Sequence, residues 1–256
     1  LEKHHLATVT DVANRLQAQD AQTANNLSHL LYPYTSQGMY ASFFEGPSTL
    51  TPNNPFVVLE LEELKSKKDL QAIVLFLLMY HISEAMYRGT REIRKSCIID
   101  EAWDLFSGQS GNSAYFIETG YRRARRYNAN YLTITQSVHD YYTHPAATAA
   151  FENSDTLWLL AQKQESIDQL KKSERLSMDA YLERLLKSLR RTQDYSEVLI
   201  YTSGGYAVFR LVLEPFSRIL YSSRAEEFSA VKRYQQEGDS LIEAIHHVAQ
   251  QTYGEK

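Results

Sequence analysis

At 256 residues, the chain has the length for one large domain, or for a domain with a subdomain, and for a substantial core. Apolar residues make up 43% and charged residues 23%, which excludes a disordered, collagen-like or purely fibrous chain. The 27 Lys and Arg against 31 Asp and Glu give a net charge of −4, which argues against a wholesale nucleic-acid coat and leaves room only for a local basic patch. The longest apolar run, Ala72–Tyr80, is about half of the roughly 20 residues a membrane helix needs, so no spanning segment is expected. The lone Cys97 has no partner for an internal disulfide, which fits a reducing compartment. LEKHHLATVT at the start lacks the apolar stretch of a signal peptide, and a first residue that is Leu rather than Met reads as a piece of something longer.

In chain order, residues 10–32 read as helical, capped at Thr10, with Val12, Leu16, Leu27, Leu30 and Leu31 on one face. The polar stretch in the middle allows a pair of helices instead, and Pro33 closes the segment. A Gly/Pro/Asn-rich stretch from Gln37 to Pro55 predicts a short aromatic extended piece and then a turn cluster. Phe56–Leu61 predicts a strand. Ser66 to Asp69 fits a capping box that opens a helix to about Tyr87, with Gly89 placed for a left-handed stop. That helix is apolar nearly all round, which predicts that other elements sandwich it.

Strand Ser96–Asp100, a helix over Asn112–Asn128 and strand Tyr131–Thr135 follow. Next come a short helix near Ala146–Glu152, strand Thr156–Ala161 and two helices across Glu165–Leu189. Val198–Tyr201 and Ala207–Leu213 flank Gly204-Gly205, a hairpin signal, and helices run from Ser223 onward. Alternating strands and helices predict an α/β fold with a mainly parallel sheet. The near-continuous apolar strands predict helices on both of its faces.

In an open parallel sheet, ligands sit at the carboxyl ends of the strands. The strand SCIID ends in Asp100-Glu101, and two carboxylates there are what a nucleotide hydrolase requires. One serves a Mg²⁺ shell, because hard cations take oxygen ligands, and the other polarises an attacking water. A strand that simply ends in solvated acids is the commoner case. Arg122, Arg123, Arg125 and Arg126 lie on the next helix, whose buried arc is Phe116, Ile117, Gly120, Tyr121 and Ala124. Arg122 is expected to pair with Glu118. Other features carry less. His4-His5 and His246-His247 lack a metal-binding context, Cys97 reads as a buried inert thiol, and Trp103 and Phe106 read as core packing.

IIDEAWDLF followed by GYRRARRYNANYLTITQS resembles the TraC-type conjugative-transfer ATPases of type IV secretion systems, in the FtsK-HerA-like branch of RecA-fold motors. The shared pattern is Asp100-Glu101-Ala102-Trp103, then Arg125-Arg126, then the strand from Leu132 to Gln136. Weaker likeness extends to Phe43–Leu50, the VVLEL strand, Leu159–Gln162 and the C-terminal helices. The resemblance implies a RecA-like fold, with Asp100 on the Mg²⁺ water shell of ATP and Glu101 acting on the hydrolytic water. It also implies Gln136 as a γ-phosphate sensor and Arg125 as an arginine finger for a neighbouring subunit. It implies ring-shaped hexamers at the cytoplasmic face of a bacterial inner membrane, bound to other secretion components; the charge does not point to DNA as this chain's main partner.

One departure stands out. A phosphate cradle needs G-x-x-x-x-G-K-[ST], and the sequence has no Gly-Lys pair. The chain is therefore expected to be the C-terminal portion of a longer ATPase and inactive by itself. Residues 1–50 would be the remainder of a helical insertion, and 51–256 the second half of the ATPase domain with its C-terminal helices. A non-catalytic RecA-like docking module and a related DNA pump are the alternatives.

Overall fold

The chain folds into two units, Leu1–Arg94 and Lys95–Lys256, in a computed structural model that describes residues 7–46, 54–107, 111–174, 176–192 and 194–254. In the first unit, α1 (Val9–Gln17) begins at Thr8 rather than Thr10. The Thr8 side chain accepts from the Asp11 amide at 3.3 Å while the Asp11 carboxylate accepts from the Thr8 amide at 2.9 Å, so two orphan donors are satisfied reciprocally. Thr10 ties the helix to the loops instead, donating to Glu45 at 2.9 Å and accepting from the Ser36 amide at 2.8 Å. The polar middle breaks the segment into a pair, and α2 (Gln22–Leu31) is held to α1 by the Ser28 hydroxyl on the Ala13 carbonyl at 2.9 Å. Pro33 sits in the tight 3₁₀ turn Tyr32–Tyr34 that ends it.

The expected extended aromatic piece is the short helix α3 (Ala41–Phe44), whose Phe44 meets Tyr34 edge-on at 5.2 Å. The Phe43–Leu50 stretch lies outside the described residues beyond Gly46. Phe56–Leu61 forms no strand, and Phe56 and Val58 are 75% and 72% exposed. β-branched composition makes a strand only where a ladder partner and cross-strand neighbours are supplied. α4 (Lys68–Arg88) starts at Lys67 with no side-chain cap, so the expected Ser66 box is absent, and Gly89 is extended rather than left-handed. Leu70, Leu78, Met79 and Met86 are buried, but Phe76, Leu77 and Tyr80 are about half exposed, so α4 is not enclosed all round. Its 21 residues, with mean hydropathy 1.4 over the most apolar window, meet the length and composition of a spanning helix. A core helix meets the same test, and an ion pair of Glu84 with Arg88 at 2.9 Å closes its last turn.

The second unit opens with a parallel β-α-β element: β1 (Lys95–Ile99), α5 (Ala102–Ser107), α6 (Gly111–Arg123) and β2 (Ala129–Thr133). Cys97 pairs with Tyr131 and Ile99 with Thr133. Gly120 explains how close α6 comes to β2, since a Cβ there would stand 2.6 Å from the Tyr131 ring. Phe116, Ile117, Gly120 and Ala124 are buried and Tyr121 is half-buried, the arc expected from the periodicity. The helix ends earlier than expected, at Arg123, and the chain tightens into a 3₁₀ turn, Ala124–Tyr127, before Asn128 turns it left-handed at φ 53° into β2.

After α7 (Pro145–Glu152), the remaining strands form a separate antiparallel sheet. β3 (Thr156–Leu160) pairs with β4 (Ser196–Thr202), and β4 pairs with β5 (Gly205–Leu211) across the Ser203-Gly204 turn. α8 (Gln164–Lys172) and α9 (Ala180–Ser188) connect β3 to β4 and cover one face. The hairpin is therefore present, but the mainly parallel sheet holds only for β1 and β2. A continuous apolar run encodes burial and not strand direction, so the sequence left the orientation of β3 against β4 open. Coverage of both faces is also not met, because Ile98, Leu132, Trp158 and Leu160 are 62%, 45%, 66% and 51% exposed. The core lies on the other face, where Leu159 and Leu199 meet Ile167, Leu170, Leu182 and Leu186. Each such side chain contributes about 1.5–3 kcal/mol by its removal from water. α10 (Pro215–Leu220), α11 (Ala225–Glu237) and α12 (Leu241–Tyr253) close the chain around Ile219, Val231, Ile245 and Val248.

Candidate functional site

The parallel ladder does not stop at the last strand residue. The Ile134 amide donates to the Ile99 carbonyl at 2.9 Å and the Ala102 amide donates to the Ile134 carbonyl at 3.0 Å. This pins the intervening Asp100-Glu101 turn at the carboxyl end of β1. Glu101 takes the left-handed conformation at φ 50°, which costs a non-glycine residue on the order of 1–3 kcal/mol and persists only where its surroundings enforce it. The Asp100 carboxylate accepts from the Glu101 amide at 2.9 Å.

That strained turn aims the Glu101 side chain at the next strand. Gln136 Nε2 donates to Glu101 Oε1 at 2.9 Å, and the Trp103 indole N–H donates to Oε2. Asp100, Glu101 and Gln136 are therefore brought together at the carboxyl ends of two adjacent parallel strands. All three are exposed, as is Trp103 at 43%. The expectation that Trp103 is core packing is corrected: its polar edge serves the acidic pair. The side chain of Phe106 lies outside the described residues.

The end of β2 is tied down by a tyrosine-threonine network that the motifs did not reveal. Thr133 bonds the Tyr121 hydroxyl at 2.8 Å and the Tyr141 hydroxyl at 2.9 Å, and its amide donates back to Tyr121 at 3.1 Å. Burial pushes the pKa of both phenols up, so they keep their protons and stay hydrogen-bond donors. Beyond Gln136, Ser137 caps the 3₁₀ turn Val138–Tyr142 reciprocally with Asp140, and Gln162 at the end of LLAQ accepts from the Val138 amide at 3.3 Å. The signal for the network was the alternation along β2, which turns Tyr131 and Thr133 inward.

Arg125 is placed elsewhere. It lies in the 3₁₀ turn before β2, at the amino end of the strand pair, whereas Gln136 lies past its carboxyl end. Five residues of strand at about 3.3 Å each separate the two ends by about 17 Å. Arg125 is exposed and has no ion-pair partner among the described residues. Arg122 pairs with Glu118 at 3.0 Å, as its spacing implies.

Burial raises the Cys97 pKa to about 11, which makes it an inert thiol. His246 faces Phe216 at 4.6 Å and His247 bonds Asp239 at 2.7 Å, while His4-His5 lie outside the described residues. No cluster of three metal-ligating side chains occurs among the described residues. The donor chemistry of the site is that of exposed carboxylate oxygens next to an amide, which suits a hard cation and an attacking water. A phosphate-cradling Gly-Lys pair is absent from the sequence.

Comparison with known proteins bears on this arrangement. The TraG P-loop domain family matches residues 3–252. Protein TraC of Escherichia coli strain K12 is 31% identical over 269 residues, an alignment covering 97% of this chain and 30% of TraC. The structure of VirB4 of Thermoanaerobacter pseudethanolicus superposes with a TM-score of 0.62 at 20% identity, covering 81% of this chain and 55% of that one. The chain thus spans about a third and about half of the lengths of these two relatives. It belongs to the TraG P-loop domain family.

Proposed function

We propose that this chain is the C-terminal part of an ATP-hydrolysing motor that energises conjugative transfer through a type IV secretion system, supplying the water-activating half of the nucleotide site. The observation that carries this is the convergence of Asp100, Glu101 and Gln136 at the carboxyl ends of β1 and β2, with Glu101 held in a strained backbone conformation. Asp100 would hold Mg²⁺ through its water shell. Bound Mg²⁺ supplies charge neutralisation at the phosphates. Glu101 takes the proton of the attacking water, and Gln136 contacts the γ-phosphate from the next strand. Arg125 serves the nucleotide of a neighbouring subunit in a ring-shaped hexamer. The motor works at the cytoplasmic face of the inner membrane beside other secretion components.

In this reading, residues 1–50 are the remainder of a helical insertion, and 51–256 are the second half of the ATPase domain. The lysine-bearing phosphate cradle comes from elsewhere in the longer protein, so residues 1–256 alone bind ATP weakly and do not turn it over. Calorimetry with ATP and Mg²⁺ checks this, and micromolar affinity for the isolated chain would refute the division. In the full-length ATPase, Glu101→Gln keeps the shape and removes the base. ATP binding is expected to persist while hydrolysis falls by about 10²–10⁴. A variant that turns over near the parent rate would remove Glu101 from the reaction.

A further inference from the structure

Glu101 is held at both carboxylate oxygens, and the two holders differ in kind. Gln136 reaches Oε1 from the loop after β2, through a flexible side chain whose amide can donate or accept. Trp103 reaches Oε2 from the first turn of α5, two residues along the chain, through an indole N–H that can only donate. The ladder bonds at Ile99, Ala102 and Ile134 fix the backbone that connects Trp103 to Glu101. The indole therefore stands on backbone that is fixed relative to Glu101, whereas the Gln136 amide reaches in from a separate loop. Trp103 is also 43% exposed, more than a tryptophan placed for burial alone.

We propose that Trp103 is a positioning residue for the hydrolytic reaction: its indole N–H anchors Oε2 of Glu101, so that Oε1 is the oxygen presented to water when Gln136 turns to the phosphate. This rests on the reading of Glu101 as the base. It gives the Glu-Ala-Trp spacing a physical reason, because a left-handed residue followed by a helical turn brings the side chains at i and i+2 to the same side of the loop. Exchange of Gln136 then couples phosphate contact to release of the base, while Trp103 stops the freed carboxylate from swinging out into solvent.

Two measurements test this. The sequence has two tryptophans, so an amide-nitrogen correlation spectrum of the 256-residue chain shows two indole N–H signals, assigned through Trp158→Phe on the exposed outer strand. Glu101→Gly removes the carboxylate and suits the left-handed backbone. It should move the Trp103 signal toward the free-indole position and leave the Trp158 signal in place. In the full-length ATPase, Trp103→Phe keeps the ring and removes the donor; kcat should fall about tenfold with KM unchanged, and the same substitution should add nothing on a Glu101→Gln background. An indole signal indifferent to Glu101→Gly overturns the contact. A moved signal with unaltered kcat in Trp103→Phe overturns the positioning role while Glu101 remains the base. Full turnover by Glu101→Gln overturns both, and is recognised by that variant alone.

Discussion

The two ends of the β1–β2 pair both carry exposed charge, and they are built in opposite ways. At the carboxyl end the named groups answer one another: Asp100 accepts from the Glu101 amide, Glu101 accepts from Gln136 and Trp103, and the loop after Gln136 is capped by Ser137 and braced by Gln162. At the amino end, Arg125 stands in a 3₁₀ turn with no ion-pair partner among the described residues, although Arg122 one turn earlier has one. A group that works within its own subunit is oriented by its own subunit. A group that works on a neighbour is oriented by the neighbour, and in a single chain it looks idle. If Arg125 serves a neighbouring subunit, as proposed, the contrast is between groups oriented within the chain and a group oriented by assembly.

The sharpest way to break this contrast is Arg125→Ala in the assembled full-length protein. A finger stabilises charge that develops in the transition state and is worth about 10³–10⁵ in rate, or roughly 4–7 kcal/mol at 1.36 per decade. An exposed ion pair is worth about 0–1 kcal/mol. Hydrolysis should nearly vanish while ATP binding and the folding transition are kept, and Arg122→Ala and Arg123→Ala should be much milder. Mixing the Arg125 variant with Glu101→Gln should recover part of the activity, since mixed neighbours can pair an intact finger with an intact base. Equal effects across the three arginine variants, or no recovery on mixing, would reduce the amino end to a solvated face.

Much of the carboxyl end was legible because it is local. An apolar strand followed at once by two acids marks Asp100 and Glu101 by chain position, whereas Gln136, three residues past the end of β2, was marked by the family resemblance. Arg125 was legible as a residue but not as a place, because the helix gives way to a 3₁₀ turn after Arg123, five residues sooner than the periodicity implies. Trp103 was misread since composition records the indole's apolar body and not its single donor. The direction of β3 and the fate of Phe56–Leu61 were not legible at all. Both depend on which strand lies alongside, and an apolar run says that it wants cover without saying from what.

A weaker test sharpens the same contrast through the packing behind β2. Gly120→Ala places a methyl group 2.6 Å from the Tyr131 ring, and that ring is buried on β2 just before the Thr133 network. Overpacking of this kind costs about 1–3 kcal/mol, so the folding midpoint should fall by several degrees. The change pushes on β2 from behind, so the Trp103 indole signal should be less affected than by Glu101→Gly. An unchanged midpoint would mean that α6 can step away from β2 without cost.

The smallest expected effect lies away from both ends and calibrates the others. Glu183 on α9 bonds Lys171 and Lys187, each at 2.6 Å, and these partners lower its pKa to about 2 from a usual 4.5. A carboxyl group whose folded pKa is depressed contributes stability above its unfolded pKa and loses it as pH falls through the folded value. The midpoint difference between the parent and Glu183→Gln should therefore be present at pH 5, shrink between about 4.5 and 2, and vanish below that. Because both lysines reach their partner through solvent-facing side chains, added salt should shrink it as well. Activity of the assembled protein should not respond to this substitution. If Glu183→Gln cut hydrolysis as Glu101→Gln does, the loss in the Glu101 variant would have to be read as a general sensitivity to lost carboxylates. The charged network on α9 is thus the control that makes a loss at the strand ends specific to the strand ends.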